Sequence, residues 1–241
     1  RTSLATYRSV ASILGTLFTL VVFRPLANAL GGDARAWQIA GAVLAVWIVL
    51  PWWPIRRVTY ERRTFSGAVQ GSTREYFRLL YRNQSFRRLI GLFTLGRIAI
   101  DLPMALFLHY FTYVIGRPGD FELVMGGFLV SVVLAMPVWL RFARGRDKAT
   151  VYRYGCVGWV FGLGCLFFIQ PEWPFAITFF ATMLAGIGYS AADMIPWSMV
   201  ADVADEDELT SGERREGLYV GVFTFLRKIA GALGVAGAFL V

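Results

Sequence analysis

Pro174-Phe-Ala-Ile-Thr-Phe-Phe-Ala-Thr-Met-Leu-Ala-Gly-Ile-Gly-Tyr-Ser-Ala-Ala-Asp193-Met-Ile-Pro196-Trp-Ser-Met-Val-Ala201 runs directly into the acidic block Asp202-Val-Ala-Asp205-Glu-Asp-Glu208. A helix rising about 1.5 Å per residue needs about 20 apolar residues to cross a hydrocarbon core, and this run exceeds that with one charge, Asp193. The acidic block marks where the helix meets water. Apolar runs of the same kind recur outward in both directions, at about 9–30, 36–54, 89–115, 121–141, 154–170, 174–201 and 217–241. The expected fold is therefore all-α and polytopic, with seven transmembrane helices. Composition agrees: the 241 residues are 56% hydrophobic and 17% charged, with one His and two Cys, which excludes a disordered tail, a disulfide scaffold or an ordinary soluble enzyme. Cys156 and Cys165 lie nine residues apart, on opposite sides of one helix, and so read as packing residues. The chain opens on Arg1 and stops inside an apolar run at Phe239-Leu-Val241, which reads as a fragment.

Basic residues set the expected orientation, because short loops rich in Lys and Arg stay cytoplasmic. Nine arginines lie between Arg56 and Arg88, five basic residues between Arg141 and Arg153, and Arg1, Arg8, Arg214 and Arg215 fall on the same side of a seven-span arrangement. The opposite connections hold only Arg35 and Arg117. The net charge of +8 thus reports membrane topology, with the first residue and the linker cytoplasmic in an inner membrane, and no nucleic-acid partner is expected. Three segments follow: two helices in 1–55, a cytoplasmic linker at 56–88 with an amphipathic helix near 73–81, and five helices in 89–241.

Charges inside spans are expensive and point to function. Arg97 and Asp101 are four residues apart and share a helix face. Asp193 sits among small residues just before Pro196, which suits a kinked, solvent-lined helix. Lys228 lies near mid-membrane with Thr224 one turn before it and Gly231 nearly one turn after, whereas Arg227 points about 100° away and reads as a helix-packing or lipid-boundary charge. Asp202, Asp205 and Glu206 share a face that can latch onto arginines such as Arg141 or Arg144 in one conformation only. Gly158-x-x-x-Gly162 and Gly217-x-x-x-Gly221 permit close helix approach.

The run Ile195-Pro-Trp-Ser-Met-Val-Ala-Asp202 through Gly217-Leu-Tyr-Val-Gly-Val-Phe-Thr224-Phe-Leu-Arg-Lys228 closely resembles the signature of the glycoside-pentoside-hexuronide:cation symporters, the melibiose-carrier-like branch of the major facilitator superfamily. Arg1-Thr-Ser-Leu-Ala-Thr-Tyr-Arg8 is similar to the start of that family's fifth helix, Tyr81-Arg-Asn-Gln-Ser-Phe86 to the start of its seventh, and Pro137 to Lys148 to the basic loop after its eighth. The resemblance implies a partial major facilitator fold covering family helices 5 to 11. It also implies that Lys228 and Thr224 lie near a cation site and that Arg8 reaches the sugar. Asp193 stands where the melibiose carrier has a Trp facing the sugar cavity. Arg97 and Asp101 replace neutral polar residues of that carrier.

The expected function is cation-coupled symport, with Na⁺ or H⁺, of a sugar or glycoside by alternating access. Candidate substrate-binding residues are Arg8, Asp193, Arg97 and Asp101; candidate coupling residues are Lys228 and Thr224; the candidate cytoplasmic gate is Asp202, Asp205, Arg141 and Arg144. Alternatives are a hexuronide or other anionic-sugar symporter, in which Arg97 holds a carboxylate, and a lysolipid carrier of the same superfamily. A membrane prenyltransferase using the Asp-rich segment is remote, because no second Asp-rich motif faces the first. No catalytic activity, metal site, cofactor or obligate protein partner is expected, since His109 stands without a Cys/His cluster. The expected partners are the substrate and the lipid bilayer.

Overall fold

The computed structural model describes residues 2–59, 73–213 and 215–240. Nine α-helices are described: α1 (Thr2–Ala29), α2 (Ala34–Val49), α3 (Trp52–Val58), α4 (Thr73–Arg82), α5 (Gln84–His109), α6 (Phe121–Ala143), α7 (Lys148–Phe167), α8 (Phe175–Ser211) and α9 (Glu216–Ala238). A π-turn, Tyr110–Val114, extends α5. The amphipathic helix expected near 73–81 is α4, while 60–72 of the expected linker lies outside the described residues.

Polar residues fix where helices begin and end. Asp33, Asn83 and Asp147 cap α2, α5 and α7 by accepting hydrogen bonds from the amides of Ala36, Phe86 and Thr150 at 2.8, 2.9 and 3.1 Å. α8 ends at Gly212, whose φ of 71° is left-handed and whose N–H donates to the Glu208 carbonyl. The helix runs unbroken through Pro196 for 37 residues, so the acidic block expected just beyond a span continues the same helix.

The chain divides into two compact units, one of residues 12–70 and the other of residues 71–241 together with 1–11. Within the first, Phe18 stacks on Trp47 and Phe23 meets Trp37 edge-on, pairing α1 with α2. Within the second, α8 packs along both α6 and α7, and α5 packs along α9. Two clusters of its apolar core lie at the two ends of α5. Phe86, Leu89 and Phe93 meet Val200, Val203, Tyr219 and Phe223 at one, and Phe107, Phe111 and Ile115 meet Val124 and Leu166 at the other.

Six described stretches are long and apolar enough to cross a membrane: Ser9–Ala29, Ala34–Val58, Gln84–Val114, Pro118–Ala143, Phe175–Ser211 and Glu216–Ala238. The seventh expected span, 154–170, corresponds to α7, which has 20 residues and so the length for a crossing, but is not among the six. Its composition explains the difference. Gly155, Gly158, Gly162 and Gly164, together with Tyr152, Arg153 and Tyr154, dilute its hydropathy.

Those glycines carry the α7–α8 contact. A Cβ added at Gly155 would lie 2.6 Å from the Ala191 Cβ, one at Gly158 would lie 3.2 Å from the Gly188 Cα, and one at Gly162 would collide with the Ala185 backbone. Small residues bring the two backbones together where no hydrophobic effect drives helices to associate within lipid. The second glycine pair behaves differently: nothing lies within 4 Å of a Cβ at Gly217 or Gly221. Gly188→Ala is expected to destabilise the fold by about 1–3 kcal/mol, because its Cβ would meet the Gly158–Trp159 backbone, which cannot swing aside. Gly164→Ala, which meets open space, should be near neutral; equal thermal unfolding of the two variants would contradict the seam.

Candidate functional site

Four intramembrane charges on three helices converge in the second unit. On α5, Arg97 and Asp101 are one turn apart. The Arg97 Nε donates to Asp101 Oδ2 at 2.7 Å, and its Nη2 lies 2.5 Å from Oδ1, a bidentate pair. The third guanidinium nitrogen, Nη1, reaches Asp193 Oδ1 on α8 at 3.1 Å. From α9, Arg227 Nη2 donates to the same Asp193 oxygen at 3.2 Å. Two guanidinium groups and two carboxylates therefore form a neutral cluster joining α5, α8 and α9.

Local sequence makes the cluster possible. α9 carries Arg227, Gly231 and Gly234 at successive turns; Arg227 meets α8, and the glycines face α5 and leave room for the Asp101 side chain: a Cβ at Gly231 would lie 2.9 Å from Asp101 Oδ2. The Arg227 guanidinium also lies over the Trp197 ring, 5.3 Å from its centre, one turn beyond Asp193 on α8. Side-chain exposure is 16% for Arg97, 14% for Asp101 and 12% for Asp193, but 32% for Arg227. Arg227 is thus the member most open to an incoming group.

The Arg97–Asp101 pairing agrees with their spacing, whereas the link to Asp193 joins residues 96 apart. Of the two readings open for Arg227, the structure gives helix packing. The signal was its register with Gly231 and Gly234, a small-residue stripe facing a neighbour. Lys228 is exposed and Thr224 half-buried, both on α9. Arg8 lies on α1, and its side chain is outside the described residues.

At the end of α8, Asp202 Oδ2 lies 2.5 Å from Lys148 Nζ, which also donates to the Ser198 carbonyl at 3.3 Å. The partner the structure gives Asp202 is thus the first residue of α7, held beside α8 by the glycine seam. Arg141 sits in the last turn of α6 and Arg144 at its C-cap. Asp205 is half-buried on α8. Further along, Arg215 bridges Glu213 at 2.6 Å and Asp207 at 3.4 Å. Burial opposes the Arg215 charge, but these two carboxylates outweigh it and raise the guanidinium pKa above its ordinary value. Asn83, which caps α5, also donates its amide to the Tyr219 hydroxyl on α9 at 3.0 Å. Beside it an open cavity of about 700 Å³ is lined by Arg78, Arg82, Glu206 and Asp207.

Removing one member of a charge pair shielded from water leaves its partner uncompensated. Asp193→Ala strands two guanidinium groups on one remaining carboxylate and is expected to cost about 2–3 kcal/mol, given the partial exposure. Lys148→Ala removes half of a pair in which Asp202 is 49% exposed, and should cost less than about 1 kcal/mol. Thermal unfolding in detergent ranks the two; a smaller loss for Asp193→Ala would contradict the shielded cluster.

Comparison with known proteins gives the family. The chain is 30% identical to an uncharacterized symporter of Synechocystis sp. over 66% of this chain and 29% of that protein. It is 29% identical to a putative 2,3-dihydroxypropane-1-sulfonate exporter of Salmonella typhimurium over 97% of this chain and 51% of that protein. It is 25% identical to the sodium-dependent lysophosphatidylcholine symporter 1 of Homo sapiens over 81% of this chain and 36% of that protein. The chain therefore spans about half the length of these relatives or less. The family described as MFS/sugar transport protein matches residues 1–241 throughout. With an all-helical fold, six stretches able to cross a membrane and a match along its whole length, the chain belongs to the MFS/sugar transport protein family.

Proposed function

We propose that this chain is part of a secondary active transporter of the melibiose-carrier-like branch, supplying its helices 5 to 11, and that it carries a sugar or glycoside together with Na⁺ or H⁺ by alternating access. The observation that carries this reading is the neutral four-charge cluster linking α5, α8 and α9 at membrane depth. Charges kept inside a membrane mark substrate or ion pathways, and a cluster shared by three helices changes its partners when those helices move. Symporters among the relatives support cation coupling, and one of them is named as sodium-dependent.

In this scheme Lys228 and Thr224 lie beside the cation, and Arg8, Arg97, Asp101 and Asp193 serve the substrate. Asp202 and Asp205 close the cytoplasmic side in the conformation in which they meet Arg141 and Arg144, while in this one Lys148 holds Asp202. The first residue and the linker 56–88 face the cytoplasm, following the arginine count. The reading is of a carrier and not an enzyme. Asp202 and Asp207 are engaged by Lys148 and Arg215, which disfavours a Mg²⁺-diphosphate site there.

A second reading, transport of an anionic substrate such as a hexuronide, is favoured by one specific observation. Arg97 already holds Asp101 bidentately, while the more exposed Arg227 shares a single Asp193 oxygen and has capacity for an incoming carboxylate or phosphate. Uptake into vesicles, with neutral glycosides, hexuronides and lysolipids tested with and without a Na⁺ or proton gradient, separates the two. Gradient-driven accumulation of a neutral glycoside is expected; accumulation of anions alone transfers the assignment to the second reading. Lys228→Ala is expected to abolish gradient-driven accumulation while leaving the protein folded, and undiminished accumulation would remove Lys228 from coupling.

A further inference from the structure

A groove of about 750 Å³ runs along the outer face of α6 and α7, floored by α8. Its lining on α6 extends from Ser131 to Phe142, which is about 16 Å at 1.5 Å per residue. That matches half of a hydrocarbon core about 30 Å thick, one leaflet's depth. The walls are apolar and open: Leu134, Val138, Val157 and Phe161 are each more than 60% exposed. Trp139 also lines the groove and donates its indole N–H to the Ile187 carbonyl at 2.8 Å, leaving its ring as wall.

The chemistry changes at the end of the groove nearest the α6–α7 connection. Phe142 and Tyr154 close it with rings 5.8 Å apart, at the level where amphipathic aromatics sit in a membrane interface. Around them are four exposed arginines: Arg141, one residue before Phe142, and Arg144, Arg146 and Arg153 on the side of the connection. Arg146 folds back over the Phe142 ring, 4.2 Å from its centre, and donates to the Phe142 carbonyl at 2.9 Å, which places its guanidinium at the mouth of the groove. The carboxylates nearest in this connection are engaged elsewhere: Asp147 caps α7 through Thr150, and Asp202 pairs with Lys148.

An apolar slot one leaflet deep, ending in an aromatic collar and then a cluster of guanidinium groups, is complementary to one kind of molecule. We propose that this face of α6 and α7 is a binding site for an anionic phospholipid of the surrounding bilayer, with an acyl chain in the groove and the phosphate at Arg146 and its neighbours. The groove, though floored by Met183 to Gly188 of α8, includes none of Arg97, Asp101, Asp193 or Arg227, so on the reading of that charge cluster as the substrate site it is a site for a bound lipid and not for the transported substrate. A zwitterionic lipid offers the same chain but presents its phosphate with a compensating ammonium, so the arginines favour the anionic headgroup.

Native mass spectrometry of the whole protein in detergent, with added dioleoyl phosphatidylglycerol or dioleoyl phosphatidylcholine, tests the site. The expected result is preferential retention of phosphatidylglycerol. Arg144→Ala with Arg146→Ala should lower that retention by about fivefold per arginine and leave phosphatidylcholine unchanged. Val157→Trp, which fills the groove from an exposed position away from the α7–α8 seam, should lower retention of both lipids. Equal retention of the two lipids, or indifference to the double arginine variant, overturns the proposal. So does displacement of phosphatidylglycerol by inorganic phosphate, which would mean a bare anion site, or loss of a dimer in Val157→Trp, which would mean that a second copy covers the groove.

Discussion

Charge neutrality inside a low-dielectric layer is the constraint on which the second unit depends. An isolated guanidinium or carboxylate at membrane depth is costly, so each must meet a partner, and here the partners lie on different helices. Arg97 satisfies Asp101 within α5 and then ties α5 to α8, and Arg227 ties α9 to the same carboxylate. The helices are fixed less by their apolar faces, which are as content in lipid as in protein, than by where these four groups can neutralise one another. The glycines at 231 and 234 are part of this arrangement, because they let α9 approach Asp101.

The second force is close backbone packing. Between α7 and α8 there is no ion pair at membrane depth among those described; Gly155, Gly158 and Gly162 set against Ala191, Gly188 and Ala185 bring the helices into van der Waals contact. This choice costs α7 much of its hydropathy. A helix covered by a neighbour needs contact surface more than lipid affinity, so the property that recommends a residue for packing also hides the helix from a hydropathy count.

Most of the architecture was legible because each run of about 20 apolar residues has one physical reading, whereas the caps at Asn83, Asp147 and Gly212 that set the helix ends emerge only from the structure. The short α4 was legible for a different reason, its amphipathic character within the hydrophilic linker. The site was legible only in its local part: Arg97 and Asp101 announce themselves by a spacing of four, but nothing in the linear order says that Asp193 completes the coordination of Arg97. Arg227 and Lys228 were harder still, since adjacent residues differ by about 100° in direction and periodicity does not say which of the two faces meets α8. Asp202 was expected to meet Arg141 or Arg144 at the end of α6, and its partner Lys148 depends on how closely α7 follows α8, which is a matter of packing rather than of charge.

The unbroken length of α8 has a mechanical consequence. Its 37 residues form a rod about 55 Å long, on which Asp193 and Asp202 are separated by only two and a half turns. With Asp193 as the pivot, a tilt of about 5° moves Asp202, about 13 Å along the helix, by about 1 Å, enough to carry a charged contact out of hydrogen-bond range. The contacts of Asp193 with two arginines and of Asp202 with Lys148 therefore belong to one lever, and a motion that tilts the helix strains both together.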